Sequence, residues 1–450
     1  MLLCADYVLP ITSDSIENGA VLIRNGKIQD VGDANALRAR YPEETCRTYK
    51  DTVLMPGFVN VHCHMDATAL RGIVHDVPYS DWRFRIDQCK DKMNAAGKHA
   101  SAIVGCLEAI SAGVTTIADI SGSDATLDAM QKLGMRGVVY REVCAMDKAR
   151  IDHAMRTASS DLDKWSAKVD SSRILLGIAP AALFKCHPLV YTRCAEFAGS
   201  SLRVAMHLAG SRDEYDFVRR GSSAFSVHGM DENRGFVECP PWMPTGVSPV
   251  KYALNWGAFS ADRTMAINCV HIDDEDLKKL KQYNVSIALA PRANAQLGMG
   301  VAPMSEFLKM GFNVGLGTDS PAATDSIDMM AEMRTGMLLQ RALNRDNFLP
   351  ASTMLEMATM GGARALHMEN RIGSLEVGKH ADIIAVDISQ SHQMPTDDVA
   401  SAVVNTTSAT DVVMTMVGGT ILYENSKWET PFDVEEAVRE FVALRKDLRD

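Results

Sequence analysis

The sequence lacks the features that mark membrane, secreted and nucleic-acid-binding proteins. No uncharged apolar run approaches the roughly 18 residues that a membrane helix needs, and residues 1–6 have neither the basic start nor the cleavage pattern of a signal peptide. Lysine and arginine form no cluster or stripe and the net charge is −11, which argues against nucleic acid and anionic membranes as partners. We therefore expect a cytoplasmic protein whose partner is a small molecule.

Paired cysteine motifs, internal repeats and low-complexity linkers are also missing. The ten cysteines are scattered without CxxC spacing, so we interpret them as reduced thiols and not as a disulfide framework. At 450 residues, 46% of them hydrophobic, the chain is long enough for one barrel-sized domain and a smaller one.

The pattern of apolar residues divides the chain into two kinds of structure. The first 51 residues alternate short strands with turns, and Asn25-Gly26 is a hairpin signal between two of them. From Thr52 onward, strands alternate with helices, which is typical of a parallel sheet. The eight strands are predicted near residues 53–64, 114–120, 136–143, 174–182, 203–209, 264–272, 285–291 and 313–319. Eight strand-then-helix units in about 290 residues predict an α/β protein with a (β/α)8 barrel.

The chain ends are predicted to form one smaller domain. Strands near 383–387 and 411–423 return after the barrel, and a charged surface helix follows near 433–448. We therefore divide the chain into a TIM barrel over 52–371 and a small β-sandwich domain built from 1–51 and 372–450. The irregular stretch Gly229–Val250 interrupts the connection from the fifth to the sixth barrel strand, and long loops of this kind commonly act as lids.

The stretch Pro56–Asp66 contains the first two candidate metal ligands. Its apolar, β-forming residues predict a buried strand that ends at His62 and His64. Because side chains alternate along a strand, these two imidazoles point the same way and Cys63 points away from them. Two nitrogen ligands on a rigid strand are suited to a metal site.

Three later strands of the predicted barrel also end in residues that can bind a metal. His207 ends the fifth strand, His271 the sixth and Asp319 the eighth. The carboxyl ends of the strands form the active-site face of a (β/α)8 barrel, so we expect these side chains to meet His62 and His64. Three or four imidazoles and one carboxylate suit Zn²⁺ or Fe²⁺ better than Mg²⁺ or Ca²⁺.

Five motifs link the chain to a known family. They are the opening run Pro56–His64, then Ala112–Thr116, Ser248–Val250, Gly317–Ser320 and the closing run Gly373–Asp382. With them the chain resembles the amidohydrolase superfamily, in the branch of cytosine, guanine and S-adenosylhomocysteine deaminases and triazine chlorohydrolases. The resemblance covers nearly the whole chain and implies a metal-dependent hydrolase that acts on C–N bonds other than peptide bonds. We also expect a homo-oligomer, a dimer or higher.

The resemblance implies a role for each of the strand-end residues. The family's metal ligands match His62, His64, His207 and Asp319, and His271 matches a histidine that either is catalytic or supports the metal ligands. A bound divalent ion makes hydroxide available at neutral pH. Asp319 would take the proton from the water, and His271 would orient that water and stabilise the developing charge.

Two departures from the family pattern bear on the chemistry. The fourth strand ends at Pro180 without the lysine that bridges two metals in other branches, and Lys185 lies five residues beyond it, so we expect one metal per chain, Zn²⁺ or Fe²⁺. Deaminases of this branch have His-x-x-Glu after the fifth strand, where the glutamate shuttles protons, but here the fourth residue is Gly210. Asp213 or Glu214 either replaces that acid or starts a solvated helix.

Four residues are candidates for substrate binding. Trp82 and Asp91 match the pocket tryptophan and the ribose-binding acid of nucleoside-handling relatives, and Arg292 and Asn294 follow the seventh strand. The favoured function is hydrolytic deamination of an amino-substituted N-heterocycle or its nucleoside, of the adenosine, S-adenosylhomocysteine, guanine or cytosine kind. The alternatives are displacement of chloride or an amine from a triazine-like ring, and a homologue that binds its ligand without turnover.

Overall fold

The structure is a computed structural model that describes residues 1–225, 243–346, 348–429 and 432–448. The described strands form two eight-stranded sheets. No helix in these ranges is long and apolar enough to cross a membrane. Most of the predicted irregular stretch 229–250 lies outside the described residues.

The strands and helices are numbered in chain order. The strands are β1 (Leu2–Val8), β2 (Ile16–Arg24), β3 (Lys27–Asp33), β4 (Cys46–Pro56), β5 (Phe58–Cys63), β6 (Val114–Ser121), β7 (Arg136–Val143), β8 (Ile174–Pro180), β9 (Arg203–Leu208), β10 (Thr264–Asn268), β11 (Ser286–Leu289), β12 (Val314–Leu316), β13 (Ile383–Asp387), β14 (Val412–Val417), β15 (Thr420–Glu424) and β16 (Lys427–Trp428). The α-helices are α1 (Ala34–Arg40), α2 (Tyr79–Lys92), α3 (Ala95–Ser111), α4 (Ala125–Leu133), α5 (Ile151–Lys168), α6 (Leu189–Ala198), α7 (Arg212–Arg220), α8 (Pro249–Asn255), α9 (Asp274–Gln282), α10 (Pro291–Gln296), α11 (Met304–Lys309), α12 (Pro321–Thr324), α13 (Met329–Leu343), α14 (Ala351–Glu356), α15 (Gly362–Ala365), α16 (Val399–Thr406) and α17 (Val434–Asp447).

Strands β5 to β12 form the barrel. They are parallel and pair in chain order, and every residue of β5, β6, β10, β11 and β12 is buried. Strands covered on both faces read as continuous apolar runs, which is the pattern from which the barrel was predicted. The predicted (β/α)8 barrel with an additional sheet is confirmed.

The barrel closes between its first and last strands through backbone and side-chain hydrogen bonds. The Asp319 backbone N–H donates to the His62 carbonyl oxygen (3.0 Å). The Asn60 side chain donates to Thr318 Oγ1 (2.8 Å) and accepts the Thr318 N–H (3.1 Å). A Cβ at Gly317 would stand 2.7 Å from the His62 nitrogen, so only glycine permits this approach.

The predicted single strand over 53–64 is wrong, because the structure has two strands there. Residues up to Pro56 belong to β4 in the second sheet, and β5 begins at Phe58 in the barrel. Between them the Gly57 N–H donates to the Asp382 carbonyl (3.0 Å), and a Cβ at position 57 would lie 2.1 Å from Thr115 Cγ2. Residues 52–63 are all buried, so the apolar run has no break that would reveal the change of sheet.

The second sheet is built from both chain ends, in the order β16-β15-β14-β13-β4-β1-β2-β3. One face encloses an apolar core, and α1 covers part of the other face. The predicted strand 411–423 is instead the hairpin β14–β15, which turns at Gly418-Gly419. The division of the chain at residue 51 remains a prediction, and β4 runs across that position. A buried ion pair between Arg136 and Asp382 (2.6 Å) ties the barrel to this sheet.

Candidate active site

Three imidazoles converge at the carboxyl end of the barrel strands. His62 lies on β5, His64 directly after it, and His207 on β9. One nitrogen from each lies within 4.8 Å of the others, and the Nε2 atoms of His62 and His207 are 3.2 Å apart. The structure therefore brings together the three histidines that the sequence proposed as ligands.

Asp319 lies beside the imidazoles because the barrel closes at this point. Its Oδ1 is 3.6 Å from His62 Nε2 and 3.9 Å from His64 Nε2, and it accepts the Ser320 N–H (2.6 Å). The residue stands three positions beyond β12 in a left-handed conformation, with φ of 56°. This turn directs the carboxylate toward the cluster and not along the strand direction.

The cluster fits a divalent metal ion. His64 Nδ1 lies 2.9 Å from the Ile120 carbonyl oxygen, so this nitrogen carries the proton and Nε2 presents a lone pair to the cluster. Two Nε2 atoms at 3.2 Å need a proton or a cation between them. Three nitrogens and one carboxylate oxygen form a donor set typical of zinc.

Burial and neighbouring groups together shift the pKa values of His64, His207 and Asp319. It lowers the pKa of His207 to about 3 and that of His64 well below its usual value, with His62 as the next cause in both. Burial alone would raise the pKa of Asp319, but interactions with the three imidazoles, that with His62 first, outweigh it and hold that pKa well below its usual range. Neutral imidazoles and an ionised carboxylate are the forms that bind a metal.

His271 does not lie in the cluster. Strand β10 ends at Asn268, four residues before the predicted end, and His271 Nε2 lies 2.7 Å from the Met299 carbonyl oxygen. Its catalytic role remains a prediction. The residue at the strand end is Asn268, which is buried, has a φ of 76°, and whose Oδ1 has no hydrogen-bond partner among the described residues. Sequence reasoning missed it, although the apolar run ends there.

The space above Gly210 is filled by neighbouring side chains. A Cβ at this position would stand 3.0 Å from Met299 Cε and 3.1 Å from Asn268 Nδ2. The nearby acid is Glu214, which is buried, and whose carboxylate accepts the N–H groups of Ala209 (3.0 Å) and Gly210 (2.9 Å). Glu214 is therefore not on a solvated helix face, and burial raises its pKa to about 7. Asp213 is only half-buried.

Of the four predicted substrate residues, Trp82 has the most suitable position. It is buried, and its Nε1 donates to the Ala322 carbonyl (3.3 Å), three residues after Asp319. Asn294 is buried at the start of the helix after β11, and its Oδ1 has no partner within the described ranges. Asp91 is exposed on α2.

Arg292 holds the protein's own backbone. Its guanidinium donates to the Thr324 carbonyl (2.6 Å) and the Ser326 carbonyl (3.1 Å), and lies 3.6 Å from Glu332. These contacts fix the segment that follows Asp319. A role in substrate binding therefore remains only a prediction.

The sequence did not reveal an aromatic wall made of Tyr79, Trp82, Phe184 and Phe225. Phe184 and Phe225 stack with ring centroids 3.8 Å apart, and Tyr79 packs edge-on against both. Tyr79 also stacks on Trp82 (6.3 Å). Tyr79 and Trp82 are three residues apart on α2, but Phe184 and Phe225 are distant in sequence, so no local pattern could have joined all four. Lys185, next to Phe184, pairs with Asp87 (2.6 Å).

A family model described as the amidohydrolase family matches residues 53–422. The chain belongs to the amidohydrolase family. A shorter match, over residues 19–43, is to the bacterial imidazolonepropionase-like composite domain. The resemblance inferred from the motifs is confirmed, and so is the expectation of a metal-dependent hydrolase that acts on C–N bonds.

Curated relatives and solved structures cover almost the whole chain. The 5-methylthioadenosine/S-adenosylhomocysteine deaminase of Moorella thermoacetica is 31% identical over 433 residues, 95% of each chain. That of Thermoanaerobacter pseudethanolicus is 32% identical over 400 residues, 88% of this chain and 87% of the relative. An adenosine deaminase from Xanthomonas campestris with bound zinc has a TM-score of 0.86 at 25% identity, covering 100% and 98% of the two chains. The zinc complex of atrazine chlorohydrolase from Arthrobacter aurescens, with a TM-score of 0.83 at 22% identity and 99% coverage of both chains, shows the fold alone.

We expect Glu214→Gln to change the pH dependence of stability. Because burial raises the carboxyl pKa from 4.5 to about 7, the folded chain keeps a proton that the unfolded chain releases between these values. The wild type should therefore lose about 3 kcal/mol of unfolding free energy relative to the variant as the pH rises through this window, and nothing further above it. Urea denaturation at a series of pH values measures this, with the exposed Glu435→Gln as control. Parallel pH profiles for wild type and Glu214→Gln would contradict the prediction.

Proposed function

We propose that this amidohydrolase removes the amino group from purine nucleosides of the 5-methylthioadenosine and S-adenosylhomocysteine kind. The observation that carries the proposal is the convergence of His62, His64, His207 and Asp319 at the mouth of the barrel. The relatives that bear these substrates in their names are about one third identical to the chain over nearly its full length. Their names support the choice of substrate class.

We propose that these four residues hold one divalent ion, Zn²⁺ in preference to Fe²⁺. The zinc-bound adenosine deaminase supports this choice, and so does the donor set of three nitrogens and one oxygen. The chemistry such an ion supplies when bound is the lowering of the pKa of water from 15.7 to roughly 7. Strand β8 ends at Pro180 and not at a lysine, and Lys185 pairs with Asp87 (2.6 Å), which favours a single ion.

The residues of the chain have separate tasks in this proposal. The ionised Asp319 accepts a proton from the attacking water, and its Oδ2 is available because Oδ1 accepts the Ser320 N–H. The Ile120 carbonyl holds His64 in one tautomer and orientation. Trp82 and Tyr79 offer flat apolar faces against which a purine ring can stack.

The leaving amino group needs a proton, and Glu214 is the buried acid nearest to the end of β9. With a pKa raised to about 7 by burial, it holds a proton for part of the time at neutral pH. Its two hydrogen bonds to the backbone of residues 209 and 210 fix its position. We propose that it supplies the proton that the missing glutamate supplies in relatives, through water or the substrate itself.

A cytoplasmic location and a homo-oligomeric state are also proposed. The location agrees with the acidic net charge of −11 and with a small-molecule substrate. Gel filtration with light scattering measures the oligomeric state directly.

We expect His207→Ala to abolish both metal content and activity, because it removes one of three converging nitrogens. Elemental analysis of the purified chain should show close to one divalent metal per wild-type chain and almost none in the variant. His99→Ala is the matched control, since His99 lies in a second cluster with Asp124 and Asp128 in which Lys168 already neutralises both carboxylates (2.9 Å to each). Two metals in the wild type, or full occupancy in His207→Ala, would argue against the proposed centre.

Asp319→Asn should keep the fold while removing most turnover. An amide can occupy the same space but cannot accept the proton, and general base catalysis typically contributes about 10²–10⁴-fold. Ammonia release from adenosine, 5-methylthioadenosine, guanine and cytosine gives kcat for each variant. Asp325→Asn is the control, because Asp325 is exposed and, like Asp319, has a left-handed backbone that asparagine tolerates. Near-normal turnover in Asp319→Asn with metal bound would show that another group is the base.

A second candidate function follows from the absence of a carboxylate at Gly210. A leaving group that departs as a stable anion, such as chloride on a triazine-like ring, needs no proton donor at that place. Chloride release from chlorotriazines, measured beside ammonia release, separates this function from deamination. A protein that binds these compounds and releases neither product would be the ligand-binding homologue.

Gly210→Glu is expected to lower kcat/KM and stability, because its side chain would enter space that Met299 and Asn268 fill. Overpacking of this kind costs typically about 1–3 kcal/mol. The double variant Gly210→Glu/Met299→Ala provides room and should recover stability, and it tests separately whether a carboxylate at position 210 aids the reaction. A tenfold gain in kcat/KM from the single variant would mean that the missing acid alone limits turnover.

A further inference from the structure

Two cysteine thiols meet across neighbouring strands of the second sheet, far from the proposed metal centre in sequence and in sheet. Cys4 lies on β1 and Cys46 is the first residue of β4, and their sulfur atoms are 3.3 Å apart. These strands are parallel, with Leu2 paired to Cys46 and Cys4 paired to Thr48. Because side chains two residues apart share a face, both thiols point to the same side of the sheet.

The two thiols differ in exposure. Cys4 is 2% exposed and packs under α1 against Ala34 and Leu37. Cys46 is exposed. A small reagent in solvent therefore reaches Cys46 first. Cys4 is shielded from solvent, so its reaction partner is the oxidised sulfur of Cys46.

The surroundings of Cys46 favour the reactive thiolate. Arg38 on α1 donates to Thr48 Oγ1 (3.2 Å) and interacts with both sulfur atoms. Burial would raise the pKa of the Cys46 thiol, but hydrogen bonds with Cys4, Arg38 and Thr48 outweigh it and lower that pKa below its usual value. Burial, followed by Cys46, raises the pKa of the Cys4 thiol to about 11. Low pKa and exposure together define a reactive cysteine.

We propose that Cys4 and Cys46 form a reversible oxidation site, in which a hydroperoxide converts the two thiols into a disulfide. The Cys46 thiolate attacks the peroxide, an S–O bond forms, the O–O bond breaks, and the leaving alkoxide or hydroxide takes a proton from solvent. The Cys4 sulfur then attacks the Cys46 sulfur, the S–O bond breaks, and hydroxide leaves with the Cys4 proton as water. Two electrons pass from the thiols to the peroxide, and a dithiol reverses the change.

The required movement is small. A disulfide needs sulfur atoms about 2.05 Å apart, and the observed separation is 3.3 Å. Cys46 can make up the difference because it is the first residue of its strand, and of the three residues before it Glu43 and Thr45 are exposed and Glu44 is half-buried. In this proposal the two cysteines are reduced thiols, as expected from the sequence, until a peroxide reacts with them.

Cys144 provides an internal comparison. It is also exposed, but its thiol donates to the Lys185 carbonyl (3.2 Å) and burial raises its pKa. A general effect of peroxide on exposed cysteines would modify Cys144 as well. If the Cys4–Cys46 pair is a specific oxidation site, peroxide should oxidise Cys46 faster than Cys144.

The test is oxidation of the purified full-length protein with hydrogen peroxide, followed by alkylation and mass spectrometry of intact chain and peptides. The wild type should lose two hydrogens, with the Cys4 and Cys46 peptides linked, and dithiothreitol should restore both thiols. Cys46 should react at least about tenfold faster than Cys144. Cys4→Ser should trap Cys46 as a sulfenic acid that dimedone labels, and Cys46→Ser should leave Cys4 reduced. Cys144→Ser should form the crosslink as the wild type does.

Three results would overturn the proposal. They are oxidation of Cys46 to sulfinic acid in the wild type without a crosslink, equal rates at Cys46 and Cys144, and a crosslink that survives in Cys4→Ser. None of these measurements uses catalytic turnover, so the proposal stands or falls independently of the deaminase function.

Discussion

The closure of the barrel between β5 and β12 is the interaction on which the active site depends. The Asp319 N–H binds the His62 carbonyl, and Asn60 binds Thr318 twice, so the first and last strands are held where two of the proposed ligands meet. Residues more than 250 positions apart in sequence, as Asn60 and Thr318 are, thereby become one rigid surface. A metal bound there would link both sides of this seam, and its binding energy would add to the stability of the closed barrel.

Burial raises the pKa of both Asp319 and Glu214, but their neighbours give the two carboxyl groups opposite net shifts. Interactions with three imidazoles hold the pKa of Asp319 well below its usual range, whereas Glu214, whose carboxylate accepts two backbone N–H groups, has a pKa raised to about 7. Environments that separate the pKa values of two acids in this way commonly assign one as the base and the other as the acid. The proposed division of work between Asp319 and Glu214 follows from this contrast.

The sequence predicted the features that depend on neighbouring residues in the chain, namely the strands and the residues at their ends. Buried parallel strands appear as apolar runs, and His62, His64, His207 and Asp319 stand at or just beyond their ends, so the barrel and the cluster could be anticipated. The predictions failed where the backbone changes course inside an apolar run, at Gly57 and at Asn268, whose φ of 76° ends β10 early. The aromatic wall and the Cys4–Cys46 pair depend on which strands and loops become neighbours in space. A single sequence contains no local pattern that predicts such contacts between distant segments.

The contacts around Gly210 join three segments of the chain. Asn268 and Met299 fill the space next to Gly210, and His271 Nε2 lies 2.7 Å from the Met299 carbonyl oxygen. The Val270 and His271 N–H groups both donate to the Ala209 carbonyl (2.9 Å each), which joins the ends of β9 and β10. Because Met299 and Asn268 lie within about 3 Å of a Cβ at position 210, a larger side chain there must displace at least one of them, and the cost of that displacement opposes any gain from a restored carboxylate.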